Sequence, residues 1–193
     1  MQYNSLLKNS DIHTFKQKIK EENFVFAYPT EAVYGLGCNP FDESAVNRVL
    51  TLKHRSKHQH FILIAADWTQ ITTFIDSKHL SNIQLELVKN SWPGPITWVF
   101  PTSSQTPSWL ISADNTIALR ITAHPLASHL CQLAGHALVS TSANISGHPP
   151  CRTFEDTQKI FDHNVDWIIP GETSGLLKPT PIRHVLTGEI LRS

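Results

Sequence analysis

Short apolar runs alternate along this chain with segments in which apolar residues recur at helical spacing. The runs cover residues 24–28, 61–66, 96–100, 116–120, 137–140 and 167–169. A continuous apolar run of this length is typical of a strand buried on both faces. The alternation therefore predicts an α/β fold, and because several connections are short we expect the sheet to be mixed. A hairpin is predicted within 182–191, around Thr187 and Gly188.

Helices are placed by apolar periodicity and by residues that cap helix N-termini. We expect Ser10 or Asp11 to cap a first helix, Asp42 a second and Thr153 the last. Further helical segments are predicted near 68–74, 83–89 and 125–133. The 193 residues fit a single domain spanning 1–193, which is long enough to bury a sizeable core.

The amino-acid composition limits the kinds of binding partner and the cellular compartment that we expect. Lysine plus arginine and aspartate plus glutamate both number 16, so any anion binding must be local. Cys38, Cys131 and Cys151 are widely spaced and odd in number, which disfavours a disulfide framework and a zinc site and indicates a reducing compartment. The chain shows neither a signal peptide nor an apolar run of membrane-spanning length. We therefore expect a cytoplasmic protein that does not associate with membranes.

Four polar segments, 28–31, 53–55, 120–122 and 140–147, each follow an apolar run. The last has four hydroxyls, a carboxamide and a glycine in eight residues, so it is either a hydrogen-bonded turn or a surface that grips polar oxygens. Ligands of open α/β sheets bind where strands end. The four segments are therefore predicted to form one shared site.

The cationic residues of these segments leave structural alternatives open. Lys53 and Arg55 leave a predicted helix two residues apart and either converge on a phosphate or form an ordinary basic turn. Arg120 ends an apolar run and needs an anionic partner, which is either a structural carboxylate such as Asp114 or the carboxylate of a ligand.

Standard catalytic motifs are absent from the sequence. It has no GxxxxGK[ST] phosphate loop, and the Gly35-Leu36-Gly37 segment lacks the third glycine of a dinucleotide fingerprint. His54, His58 and His60 suggest a metal site, but no nearby carboxylate or cysteine completes a set of ligands. We expect no metal site built by the protein.

Six blocks of sequence together resemble the YrdC/TsaC family, the threonylcarbamoyl-AMP synthases. They lie at 28–37, 52–55, 92–97, 118–122, 140–147 and 149–153, so the resemblance covers nearly the whole chain. It implies a YrdC-like fold with a twisted mixed sheet, flanked by helices, around a concave basic cavity. It also implies a reaction in which L-threonine, bicarbonate and ATP, with Mg²⁺ on the phosphates, give L-threonylcarbamoyladenylate and pyrophosphate. The product would serve a threonylcarbamoyl transferase complex that modifies tRNA position 37, with tRNA contact a possibility.

The resemblance also implies roles for individual residues. It assigns threonine binding to Thr30, Arg120, Thr141 and Thr180, and nucleotide binding to Lys53, Arg55, Ser142, Asn144, Arg152 and Arg192, with Lys53 and Arg55 as the catalytic charges. The chain departs from the family pattern at Ser56, Gln59 and His60, so Lys57 is an alternative phosphate contact.

Two alternative functions remain at this point. The first is an RNA-binding module whose basic cavity holds a structured RNA without chemistry. The second is carbamoyl transfer through an adenylate, as in a related hydrogenase-maturation domain, although this chain lacks the additional regions that such a protein carries.

Overall fold

A computed structural model describes residues 7–55 and 61–193 of the chain. Its α-helices are α1 (Asn9–Lys18), α2 (Glu43–Leu52), α3 (Asn82–Asn90), α4 (Pro125–Ala134) and α5 (Phe154–Phe161). Its strands are β1 (Val25–Pro29), β2 (Tyr34–Cys38), β3 (Ile62–Ala65), β4 (Thr97–Pro101), β5 (Thr116–Ile121), β6 (Leu138–Ser142), β7 (Trp167–Ile168), β8 (Ile182–His184) and β9 (Ile190–Arg192).

The strands form one sheet in the order β7-β1-β2-β6-β3-β5-β4-β8-β9. Three neighbouring pairs are parallel, namely β1 with β7, β3 with β5 and β4 with β8, and the others are antiparallel. The prediction of an α/β fold with a mixed sheet is therefore confirmed.

Each face of the sheet packs against its own hydrophobic core. Leu36, Leu63 and Leu119 belong to the main core, together with Val46 of α2 and Val88 of α3. Since alternate residues of a strand point to opposite faces, the intervening positions face the other way. Burying each large apolar side chain contributes on the order of 1.5–3 kcal/mol.

The opposite face is covered over only part of its area. There Phe26 and Ile64 form a second core with Phe15 of α1 and Leu130 of α4. Beyond these two helices the same face carries small and polar residues of the central strands, such as Ala118 and Ser140, which line a cavity. The position of α1 and α4 therefore decides where the site lies.

Most predicted elements are confirmed, and the exceptions have local causes. β2 was not predicted, because Gly35 and Gly37 dilute its apolar pattern. The prediction that Ser10 or Asp11 caps α1 was wrong, since the helix begins at Asn9 and Lys8 caps it without a side-chain hydrogen bond. The segment 68–74 contains only a 3₁₀ turn at Thr72–Phe74.

The caps predicted for the other two helices are confirmed. The side chain of Asp42 accepts a hydrogen bond from the backbone N–H of Ala45, and that of Thr153 accepts one from Asp156. The terminal hairpin is present as β8 and β9. Within the described ranges, no helix is both long and apolar enough to cross a bilayer.

Candidate active site

A cavity of about 810 Å³ lies on the partly covered face of the sheet. Its floor is a row of neighbouring residues on adjacent strands, because Ile62 of β3 pairs with both Ala118 of β5 and Ser140 of β6. The four polar segments do supply lining residues, as predicted. The cavity extends across the face of the sheet and also includes residues just beyond strand ends, such as Thr30 after β1 and Asn144 after β6.

Nine of the ten predicted site residues line this cavity: Thr30, Lys53, Arg55, Arg120, Thr141, Ser142, Asn144, Thr180 and Arg192. The tenth, Arg152, is not among the described lining residues. Its guanidinium donates to the carbonyl oxygens of Leu176 at 3.4 Å and Leu177 at 2.7 Å. The structure thus gives Arg152 a role in holding the 176–177 segment.

Arg120 projects from β5 and meets two partners from distant parts of the chain. Its Nη2 lies 3.2 Å from Oε2 of Glu31, and its Nη1 donates to the hydroxyl of Thr180 at 2.7 Å. Arg120 Nε is buried and has no hydrogen-bond acceptor among the described residues. The guanidinium is therefore fixed on one side and retains a donor that the described protein groups leave unused.

Glu31 is the buried partner of Arg120, a pairing that the sequence analysis missed. Its Oε1 accepts from the hydroxyl of Thr122 at 2.7 Å and from the backbone N–H of Ala123 at 3.3 Å. Burial alone would raise the pKa of Glu31, but Arg120 and the Thr122 hydrogen bond lower it, so the side chain is a carboxylate. A carboxylate inside the apolar stretch 24–37 is the signal that would have indicated a buried cationic partner.

His124 extends this network to the start of α4. Its Nδ1 accepts the backbone N–H of Ala127 at 3.3 Å, which leaves Nε2 to donate to the carbonyl of Glu172 at 3.0 Å. Burial is the largest cause that lowers the pKa of His124, so the ring is neutral near pH 7. The cap thus holds the 122–124 segment, and with it the Thr122 hydroxyl, against Glu31.

Lys53 is the C-cap residue of α2, and its side chain is buried in the protein. Its ammonium donates to the carbonyls of Ser142 at 2.5 Å and Asn144 at 3.0 Å and to the Asn144 side-chain oxygen at 2.8 Å. The residue is only 3 % exposed. Burial, and then the nearby Arg55, lower its pKa from 10.5 to about 8.

Arg55 follows a residue in the left-handed conformation, His54, whose φ is 51°. This geometry ends α2, because the backbone N–H of Arg55 donates to the carbonyl of Leu50. The Arg55 side chain donates to the Thr141 hydroxyl at 3.3 Å and stacks over the ring of Phe61 at 5.9 Å. The helix end therefore directs the guanidinium into the cavity.

The described lining contains four cations, Lys53, Arg55, Arg120 and Arg192, against one carboxylate, Asp114. Burial lowers the pKa of Arg55 and of Arg192, and a neighbouring cation adds to the effect in both cases. Like charges that depress one another's pKa are stabilised by a bound anion. The basic cavity is therefore confirmed, and its electrostatics favour a polyanionic ligand.

A group of three or more histidine, cysteine, aspartate or glutamate residues that could hold a metal does not occur in the ranges 7–55 and 61–193. The predictions for Ser56, Lys57, His58, Gln59 and His60 concern residues outside the described ranges. Thr30 closes the turn between β1 and β2, since its hydroxyl donates to the carbonyl of Val33 at 2.7 Å.

Comparisons with known proteins agree with this geometry. The family model Sua5/YciO/YrdC, described as telomere recombination, matches residues 18–193. The threonylcarbamoyl-AMP synthase of Escherichia coli K12 is 48 % identical over 174 residues, which cover 90 % of this chain and 91 % of the relative.

Solved structures extend the comparison. The structure of P. abyssi Sua5 complexed with L-threonine has a TM-score of 0.84 and is 30 % identical, covering 92 % of this chain. The chain spans about half of that longer protein, since the match covers 52 % of it. E. coli YciO, with a TM-score of 0.78, 24 % identity and coverage of 94 % of this chain and 91 % of YciO, shares the fold.

Proposed function

The chain belongs to the Sua5/YciO/YrdC family, and we propose that it forms L-threonylcarbamoyladenylate and pyrophosphate from L-threonine, bicarbonate and ATP. The observation that carries the proposal is the cavity itself. Three arginines, Arg55, Arg120 and Arg192, line it around a floor that contains small strand residues. The E. coli relative that bears this activity in its name aligns with nine-tenths of the chain.

The threonine end of the cavity is proposed to lie around Arg120. Arg120 lines the cavity, and each of its Nη atoms carries a second N–H that can bind a ligand carboxylate, while Glu31 and Thr180 keep the guanidinium plane in place. A planar guanidinium grips carboxylates with two parallel hydrogen bonds. Thr30 and Thr141 line the same cavity and are proposed to complete the amino-acid pocket.

The nucleotide end is proposed to lie around Arg55 and the 142–144 segment. Arg55 and Arg192 supply positive charge for the triphosphate, and Ser142 and Asn144 form the adjoining wall. Lys53 adds its charge to this wall, where its ammonium is bonded to Ser142 and Asn144. Arg152, which holds the 176–177 segment, is proposed to reach the nucleotide only if that segment moves. Mg²⁺ is proposed to arrive with ATP, since it prefers phosphate oxygens and water to a cage of protein ligands.

The chemistry that this arrangement supports is positioning and charge neutralisation. The threonine amine and bicarbonate give a carbamate and water. A carbamate oxygen then bonds to the α-phosphorus while the bond to the bridging oxygen breaks and pyrophosphate leaves. Cations fixed before the reaction stabilise the developing negative charge, and one preorganised donor contributes on the order of 3 kcal/mol. No covalent nucleophile is needed.

The reaction product sets the proposed biological context. A threonylcarbamoyladenylate is an activated acyl donor, so a threonylcarbamoyl transferase complex that modifies tRNA is the proposed consumer. We propose a cytoplasmic location, where ATP and tRNA are available.

Pyrophosphate release tests the proposed reaction. The assay measures pyrophosphate from ATP with both threonine and bicarbonate, with each alone, and with neither. We expect release only when both are present. Release that ignores threonine would remove the proposal, and salt-sensitive RNA binding without turnover would favour an RNA-binding module instead.

A further inference from the structure

We propose that Lys53 is a positioning residue that holds the 142–146 wall of the cavity and does not itself contact the nucleotide phosphates. This inference deepens the proposed function and rests on it for the identity of the nucleotide.

The hydrogen bonds of Lys53 use its full donor capacity. A lysine ammonium carries three protons and no acceptor. The three acceptors within 3.0 Å are the carbonyls of Ser142 and Asn144 and the side-chain oxygen of Asn144. A phosphate at the same nitrogen would have to displace one of them.

Both the side chain and the backbone of Lys53 form hydrogen bonds with the 142–146 wall. The backbone carbonyl of Lys53 accepts the N–H of Ser146 at 2.9 Å. The Asn144 side-chain oxygen, which Lys53 contacts, also accepts the hydroxyl of Ser142 at 2.6 Å. Lys53, at the end of α2, is thus hydrogen-bonded to Ser142, Asn144 and Ser146.

The same contacts fix which way the Asn144 carboxamide faces. Its nitrogen donates to the carbonyls of Ile145 at 3.1 Å and His148 at 2.8 Å, while its oxygen faces Lys53. Ser142 and Asn144 are the two side chains proposed to meet the nucleoside. Their orientation therefore depends on the Lys53 ammonium.

Burial separates the role of Lys53 from that of Arg55. Lys53 is 3 % exposed, so removing one of its acceptors would leave a charged group poorly solvated, which is costly. Both residues line the cavity, but the Lys53 ammonium is directed at three protein oxygens, whereas the Arg55 guanidinium has five N–H donors and reaches the Thr141 hydroxyl of the lining. The two cations thus divide positioning and phosphate contact between them.

The test compares Lys53→Met with Arg55→Met as its matched control. Two ligands are titrated by calorimetry, inorganic tripolyphosphate for the phosphate subsite and adenosine for the nucleoside wall. Amide hydrogen exchange is measured over residues 143–148. For Lys53→Met we expect exchange to rise by about tenfold or more and adenosine binding to weaken to a similar degree, with tripolyphosphate affinity within about threefold of wild type.

Arg55→Met should show the opposite pattern, with tripolyphosphate binding weakened and exchange over 143–148 unchanged. If Lys53→Met loses tripolyphosphate affinity while exchange over 143–148 is unchanged, Lys53 is a phosphate ligand and the inference is overturned. Both measurements omit threonine and bicarbonate. A wild-type protein that binds neither probe would count against the proposed function, while the exchange comparison would still report on the wall.

Lys53→Arg provides the answer if Lys53→Met does not fold. A guanidinium keeps the positive charge, but it is planar and larger than an ammonium, so it does not fit among three acceptors that converge on one nitrogen. We expect faster exchange over 143–148 despite the retained charge. Normal exchange together with normal adenosine binding in this variant would contradict the positioning role.

Discussion

Arg120 and Glu31 form an ion pair inside the protein, with Nη2 and Oε2 3.2 Å apart and only 6 % and 4 % of the two side chains exposed. The pair joins β5 to the turn between β1 and β2, and Thr180 adds a contact from the C-terminal segment. Arg120 is thus both a structural group and the proposed threonine ligand. These two roles are separable by experiment.

Arg120→Met should destabilise the protein by about 3–5 kcal/mol, because it leaves the Glu31 carboxylate buried without its partner. The double variant Arg120→Met/Glu31→Gln removes that charge and should recover at least half of the loss. Urea unfolding measures both changes. Threonine titration should show weak binding in the single and the double variant alike, and normal threonine affinity in the double variant would count against the clamp.

Arg55→Ala should lower adenylate formation by more than about tenfold, since it removes one preorganised charge from the phosphate subsite. The fold should remain intact, because the side chain lies at a helix end and lines the cavity. Pyrophosphate release at saturating threonine measures the effect. Lys16→Ala, an exposed position on α1, is the control for a lost positive charge. Equal turnover in the two variants would remove Arg55 from the mechanism.

Gly35 and Gly37 lie two residues apart on β2 and should respond differently to alanine. A Cβ on Gly37 would lie 2.8 Å from Cε1 of Tyr28, so Gly37→Ala should cost about 1–3 kcal/mol of stability through overpacking. A Cβ on Gly35 would meet Thr30 and Thr141 at 3.4 Å.

Gly35→Ala should therefore leave the unfolding midpoint nearly unchanged and weaken threonine binding by about tenfold, the usual effect of one added carbon in a pocket. Thermal unfolding and threonine titration of both variants provide the comparison. A stable Gly37→Ala protein, or a Gly35→Ala protein with unaltered threonine affinity, would contradict the packing described for this strand.

His124 should make stability depend on pH. Burial lowers the pKa of His124 in the folded protein below the ordinary value of 6.5. As the pH falls through that value, His124 is protonated in the unfolded chain before it is protonated in the folded protein, so the free energy of unfolding decreases. His136 is lowered by burial too and acts in the same direction. Glu31 adds its own loss only below its ordinary pKa of 4.5, since its pKa is lowered as well.

The variant that isolates His124 is His124→Asn, which retains a side chain able to cap α4. Urea midpoints at pH values between about 7.5 and 5.5 should fall less steeply for this variant than for the wild type. Parallel pH profiles for the two proteins would show that the ring is not held neutral by its surroundings.

The sequence predicted the elements that depend on local pattern. Apolar runs identified β3, β4 and β5, and Asp42 marked the start of α2, because strand and cap signals lie within a few residues of one another. β2 escaped prediction since its packing depends on Tyr28 and Phe26 closing over Gly37, which no local pattern reveals.

The sequence predicted which residues line the cavity better than it predicted which of them contact one another. Polar residues that follow apolar runs were correctly gathered into one cavity, and the family resemblance supplied the residues of the C-terminal segment. The pairing of Arg120 with Glu31 joins positions 89 residues apart in sequence, as does the contact of Lys53 with Ser142. Such contacts follow from strand order, which sequence periodicity does not define.

Successive residues of β5 serve opposite purposes. Ile117, Leu119 and Ile121 lie in the main core, while Ala118 and Arg120 line the cavity. A change of ligand preference can therefore arise by substitution at Ala118 without replacing any of the core residues on either side of it. At Arg120 the two requirements coincide, because the guanidinium that lines the cavity also neutralises the buried Glu31. A new substrate that needed another residue there would require a second change at Glu31.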